Sequence, residues 1–222
     1  MKNTKGIFLL IMISMLLNSC GNKPKLNMVN IPRINIKMLK TEVTQKLYAS
    51  VMGENPSNFK GDNLPVENVS WYDAVKFCNE LSMKKGLFPV YTINGEGVTW
   101  DKSANGFRLP TLEEWFFAAI GGQDYDYPGS NNLDEVAWYY NNSNEQTHPV
   151  ARKKANGYGL YDMVGNVEEW CWDWDTDPVD YDFRFTGCGN WYSSADSVCY
   201  FDTEPADRGY PFIGFRIVRT VK

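Results

Sequence analysis

Phe107-Arg-Leu-Pro-Thr-Leu-Glu-Glu-Trp115 is the stretch on which the reading of this chain turns. Within it, Thr111-Leu-Glu-Glu114 is a capping box, in which the threonine and the glutamate three residues on satisfy each other's backbone N–H groups and open a helix. That helix runs to about Ile120, and Gly121-Gly122 stops it. Working back toward the amino end, Ser70 is an N-cap for a helix from Trp71 to about Lys84, with Gly86 as its stop. Trp71, Val75, Cys78 and Leu81 share one face of it, which makes Cys78 a buried small hydrophobe. Between these helices, Asn94-Gly95 marks a hairpin turn within Tyr91 to Trp100. Further back, Val43, Leu47, Tyr48 and Val51 at helical spacing predict a helix over Thr41 to Met52, ended by Gly53 and Pro56. Met28-Val-Asn-Ile-Pro32 reads as a short opening strand.

Forward of the central stretch the pattern changes. From Gln123 there is no long helical period, only short apolar runs among Gly, Asn, Asp and Pro, which predicts loops over a small sheet. The expected class is α+β, with two or three helices around a small twisted antiparallel sheet and much irregular structure.

The amino end has a different character. Lys2 and Lys5 precede an apolar run from Ile7 to Leu17, then Asn18-Ser19-Cys20, the order of a secretory signal. The run is too short to span a hydrocarbon core of about 30 Å as a helix. A cysteine directly after the small residue resembles a lipobox, so residues 1–19 are expected to be removed and Cys20 acylated. Residues 20–27 form a polar tether and 28–222 a single domain. The implied location is a membrane-anchored lipoprotein, in the outer membrane and surface-exposed. The net charge of −5 without a basic run argues against nucleic acid as a partner, since phosphate binding needs clustered Lys and Arg. Beyond Cys20 stand Cys78, Cys171, Cys188 and Cys199. Their pairing is open, although Cys188 and Cys199 are near enough in sequence to close a small loop.

Several ordered segments carry a family resemblance: Met28 to Pro32, Glu42-Val-Thr44, Pro65 to Ala74, Phe77-Cys78, Phe107 to Trp115, Gly159-Leu-Tyr-Asp-Met163, Gly165-Asn-Val-Glu-Glu-Trp170 and Ile213-Gly-Phe-Arg216. Together they resemble the formylglycine-generating-enzyme (sulfatase-modifying factor) domain, over about Met28 to Val218. The resemblance implies a C-type-lectin-like fold. Trp71, Trp115 and Trp170 are expected to knit its core. Some relatives bind calcium, which takes oxygen ligands, and Asn166 and Glu169 are the positions suited to it. The competing reading has Asn166 satisfying a turn and Glu169 paired with an arginine.

The resemblance also permits a test for catalysis. Counting from Cys188-Gly-Asn-Trp191, the family's two catalytic cysteines fall at about Ser193 and Val198, and neither is cysteine. Copper chemistry of that kind needs the soft sulfur pair. With His148 as the only histidine, a three-histidine iron site is excluded as well. No catalytic residue, metal or cofactor is therefore expected. Glu113-Glu114 and Glu168-Glu169 read as helix-start and turn chemistry.

The tail carries a different signal. From Tyr192 to Phe212 it mixes Tyr, Ser, Asp and Phe without an apolar period, the composition of an antibody combining site. Its place in the domain resembles the variable lipoproteins of diversity-generating retroelements, whose ligand-binding residues are scattered near the end of this fold, here about residues 188–219. The expected contacts are Tyr192, Ser193, Ser194, Asp196, Ser197, Tyr200, Phe201, Asp202, Asp207, Tyr210 and Phe212. Because side chains alternate along a strand, about half of them are expected to be exposed together. The implied partner is a protein or cell-surface ligand, besides the membrane reached through the lipid anchor. The alternatives are an inactive structural envelope lipoprotein and an enzyme of unknown reaction.

Overall fold

The computed structural model describes residues 25–95, 97–175 and 182–221. Cys20, the signal at 1–19 and the first part of the tether lie outside the described residues. The domain opens with β1 (Met28–Ile31) and β2 (Ile36–Leu39), which pair antiparallel, and β9 (Val218–Thr220) completes a three-stranded sheet on the far side of β2. The two ends of the domain therefore close on each other.

Helix α1 (Gln45–Met52) starts later than the apolar spacing predicts. Val43 is not helical: its N–H donates to the Phe215 carbonyl at 2.9 Å. Thr44 then caps the helix through its hydroxyl, which accepts from the Leu47 N–H at 3.2 Å. Helix α2 (Trp71–Lys85) has the capping box of Ser70 with Asp73 and ends on left-handed Gly86. The hairpin of β3 (Tyr91–Asn94) and β4 (Gly97–Trp100) forms within the expected stretch, but Asn94 ends the ladder opposite Gly97, so the turn starts one residue later than the Asn94-Gly95 signal places it. Helix α3 (Leu112–Ile120) starts at the Thr111–Glu114 capping box and ends at Gly121.

The later half holds one more short helix, α4 (Leu133–Val136), and a second main sheet. That sheet has the order β7 (Asp202–Pro205), β6 (Phe183–Gly187), β5 (Glu168–Trp174), β8 (Ile213–Gly214). It departs from the expected antiparallel sheet, because β5 and β8 run parallel. The return of the chain explains this: β8 comes back over the tail rather than through a tight hairpin, so nothing forces antiparallel pairing. With the hairpin, the described residues form three small sheets instead of one.

Trp71, Trp115 and Trp170 are essentially fully buried, as expected. Each indole N–H crosses to a distant segment: Trp71 to the Cys171 carbonyl at 2.8 Å, Trp115 to Glu169 Oε2 at 2.6 Å, Trp170 to the Val69 carbonyl at 3.0 Å. In a domain with little regular structure, these bonds add direction to apolar burial. Tyr48, Phe77 and Phe215 pack between α1, α2 and the stretch after β8, with Tyr48 stacked on Phe77 at 5.5 Å. Cys78 is buried in the same cluster. Among the described residues no helix is long and apolar enough to cross a membrane.

Candidate ligand-binding site

The site rests on a buried charged network. Arg216 is completely buried and its guanidinium pairs with both oxygens of Glu169. It also donates to the carbonyls of Tyr161 and Asp162, at 3.0 and 3.2 Å. Beside it, Asn166 donates to Glu42 at 2.9 Å and accepts from the His148 N–H at 2.9 Å. Asn166 sits at a φ of 63°, a left-handed position that asparagine tolerates in a turn. This is the geometry of the second reading given above for these two residues. The calcium expectation for Asn166 and Glu169 does not fit it: the Glu169 carboxylate is taken by Arg216 and Trp115, and the Asn166 amide oxygen is held by a backbone N–H. Burial raises the Glu42 carboxyl well above its usual range, and Asp162 and Glu169 raise it further against the opposing effect of Arg216. Asp162 is also raised, chiefly by burial. Glu42 Oε2 and Asp162 Oδ1 are both buried without a hydrogen-bond partner, where a neutral carboxyl costs less than a charged one.

Above this network the tail begins with an anchor. Asn190 donates to Glu168 at 2.7 Å, and its amide oxygen accepts the Tyr192 N–H at 2.7 Å. Trp191 donates through its ring to the Pro211 carbonyl at 3.0 Å and lies edge-on to Phe59. Burial moves Glu168 up to about 7, against the hydrogen bonds from Asn190 and Thr186. From this base the chain turns out and back. Val198 and Ser197 both direct their N–H groups at the Ser194 carbonyl, and Val198 plugs a buried cluster with Leu133, Val136 and Val164.

None of the eleven expected contact residues is buried. Tyr192, Ser194, Asp196, Ser197, Tyr200, Asp202 and Asp207 are exposed, while Ser193, Phe201, Tyr210 and Phe212 are half-buried. Between them Val198 and Ala206 are buried, and Ile213 is buried just after Phe212, so the segment is held down at a few points and open elsewhere. Ring contacts and cavity walls sort the eleven into groups. Tyr192 meets Tyr140 edge-on at 5.7 Å, and the Ser193 carbonyl accepts the Tyr140 N–H. Phe201 packs on Trp115 and Phe116 beside a cleft of about 210 Å³ walled by Cys188 and Cys199. Asp207 lines an open groove with Tyr72, Lys76 and Arg208. Tyr210 and Phe212 lie ring against ring at 5.4 Å and pack partly on the main core. Burial and the neighbouring Glu204 push the Tyr210 hydroxyl up to about 12.

Tyr140, Phe59, Phe116 and Tyr125 join these surfaces from other segments. The sequence gives no local sign of them, since an isolated aromatic in a loop looks the same whether it packs inward or stands beside a distant turn. The two positions where the family resemblance puts catalytic cysteines are also placed. The Ser193 hydroxyl accepts the Asn190 N–H at 3.0 Å, and Val198 is buried. His148 lies on a loop with its ring stacked on Trp138 at 3.8 Å.

The chain shares this architecture with known proteins. It is 43% identical over 220 residues to a Paenibacillus barcinonensis protein named chaperone protein LppX, a match covering 82% of this chain and 79% of that one. It is 35% identical over 136 residues to the formylglycine-generating enzyme of Mus musculus, but that match spans only 30% of the enzyme. The solved structure of Treponema denticola variable protein 1 superposes with a TM-score of 0.78 at 34% identity, covering 89% of this chain and 92% of that one. Its neighbours thus give the domain a C-type-lectin-like fold of the formylglycine-generating-enzyme type. The profile of the sulfatase-modifying factor enzyme 1-like domain matches residues 21–221, and the chain belongs to that family.

Proposed function

We propose that this chain is a non-catalytic, lipid-anchored binding protein whose ligand meets the segment from Tyr192 to Phe212. One observation carries the reading: none of the eleven Tyr, Ser, Asp and Phe residues expected to make contacts in that segment is buried and seven are exposed, while buried Val198 and Ala206 hold the segment to the domain. A surface of this composition is adaptable, with aromatic rings as anchors and small polar groups adjusting their hydrogen bonds. The likeness to Treponema denticola variable protein 1 supports retroelement diversification of the segment. The absence of cysteine at 193 and 198 supports a role without thiol–copper chemistry. An anchor at Cys20, holding many copies on one outer surface, suits weak contacts that gain from avidity.

The test lies in the gene's surroundings. A near-copy of the stretch encoding Trp191 to Arg219, differing at adenines and lying beside a reverse-transcriptase gene, is the expected finding. Its absence overturns diversification and leaves a fixed envelope protein. A second reading has its own support in the identity to the protein named chaperone protein LppX. Under it, exposed rings such as Phe88 and Phe116 would hold an apolar client.

A further inference from the structure

We propose that Cys188 and Cys199 form a disulfide that closes the exposed turn between them. The geometry already brings the two ends of that turn together. Gly187 is held in β6 against Trp115, where a Cβ would collide with the indole ring. Gly189, at a φ of 54°, lies so close to Val198 that a Cβ there would collide with the Val198 carbonyl and side chain. Cys188 and Cys199 are the next residues outward from this close approach. Accordingly, the Cys188 Sγ lies 3.3 Å from the Cys199 carbonyl oxygen, and both residues wall the cleft beneath Phe116 and Tyr125. Both thiols are free in the structure, as are those of Cys78 and Cys171, which are completely buried.

The chemistry balances with an ordinary disulfide as oxidant. Cys199, the exposed member, attacks the oxidant as its thiolate and releases one thiol, forming a mixed disulfide. Cys188 then attacks the Cys199 sulfur and releases the second thiol. The pair loses two electrons and two protons, and the oxidant is reduced to two thiols. Burial pushes the Cys188 thiol up to about 12, which makes it a poor leaving group and slows reduction of the bond once it has formed. Ten residues lie between the cysteines, Tyr192 to Ser197 among them. Closing that loop removes freedom from the display turn before any ligand arrives. The bond does not depend on what the segment binds, so its failure leaves the ligand-binding reading untouched.

The experiment equilibrates the mature full chain with glutathione disulfide and glutathione, followed by chymotryptic mapping. The expected product has lost two hydrogens, carries no glutathione and yields a peptide joining Cys188 to Cys199. Reduction is expected to lower the melting temperature by roughly 5–10 °C, and to speed hydrogen exchange across Tyr192 to Ser197. The Cys199→Ser variant should fold, melt near the reduced parent and show no redox shift. A stable glutathione adduct on Cys199, a linkage to Cys78 or Cys171, or an equal redox shift in Cys199→Ser would each overturn the proposal.

Discussion

The buried network around Arg216 and the turn from Tyr192 to Ser197 lie in the same carboxy-terminal part of the chain, yet their bonds have opposite reach. Arg216 binds Glu169, 47 residues away, and the Tyr161 carbonyl, 55 away. Asn166 reaches Glu42 across 124 residues. The turn bonds mostly to itself: Ser197 and Val198 return to the Ser194 carbonyl, and the Ser194 and Ser197 hydroxyls meet at 3.0 Å, with the Tyr140 N–H on the Ser193 carbonyl as the long-range exception. Long-range bonds between buried polar groups specify one fold, because each partner left alone is an unsatisfied buried group. Local bonds at the surface specify only a turn, and water replaces most of what they lose. The molecule thus confines its chemical variety to the region where variety costs least.

Breaking the buried side of this contrast should have the largest effect. Arg216→Met leaves Glu169 buried without its cation, and removing one partner of such a pair typically costs about 3–5 kcal/mol. A large fall in the urea midpoint is expected, with loss of the near-ultraviolet aromatic signal from the packed tryptophans. A midpoint close to the parent's would show that the network does not hold the fold.

A smaller effect separates the same two regions by pH. Burial raises Glu168 and Glu67 from 4.5 to about 7, and raises Glu42 as well. Asp202 and Glu204 add to the shift at Glu168, while Lys60 opposes it at Glu67. The folded state therefore holds protons that the unfolded chain releases first. Their contribution to stability is complete below about 4.5, declines as pH rises and is lost through about 7, because the folded state binds more protons across that window. Chemical denaturation at a series of pH values should show this decline. Glu168→Gln should flatten it, since an amide can still accept from Asn190 and donate to Thr186. An unchanged slope in that variant would place the proton elsewhere.

The two regions also differed in how far sequence revealed them. The N-cap at Ser70, the capping box at Thr111 and a hairpin over Tyr91 to Trp100 are written in adjacent residues, and the structure keeps all three. The start of α1 was misplaced because Val43 fits a helical spacing but is drawn into pairing with Phe215, a partner 172 residues away (215 − 43). The parallel β5–β8 pair depends in the same way on where the chain returns. Composition located the tail as an exposed segment. It could not show that Tyr140 and Phe59 stand beside it, because such neighbours are set by the fold alone.

The smallest expected effect tests the exposed side of the contrast. Replacing Tyr192, Ser194, Asp196 and Ser197 together by alanine removes four exposed side chains. It breaks the Tyr140–Tyr192 contact and the Ser194–Ser197 hydroxyl bond. The backbone bonds of the turn and the Val198 plug remain. Substitutions away from buried features usually fall within about 0.5 kcal/mol each. The four positions are neighbours, so their effects need not add. A melting temperature within a few degrees of the parent is therefore expected, with the tryptophan spectrum unchanged. A collapse of the fold would mean that the turn is a structural clasp. In that case the surface available for changing ligands would shrink to the rings of Tyr200 and Phe201 and the carboxylates of Asp202 and Asp207.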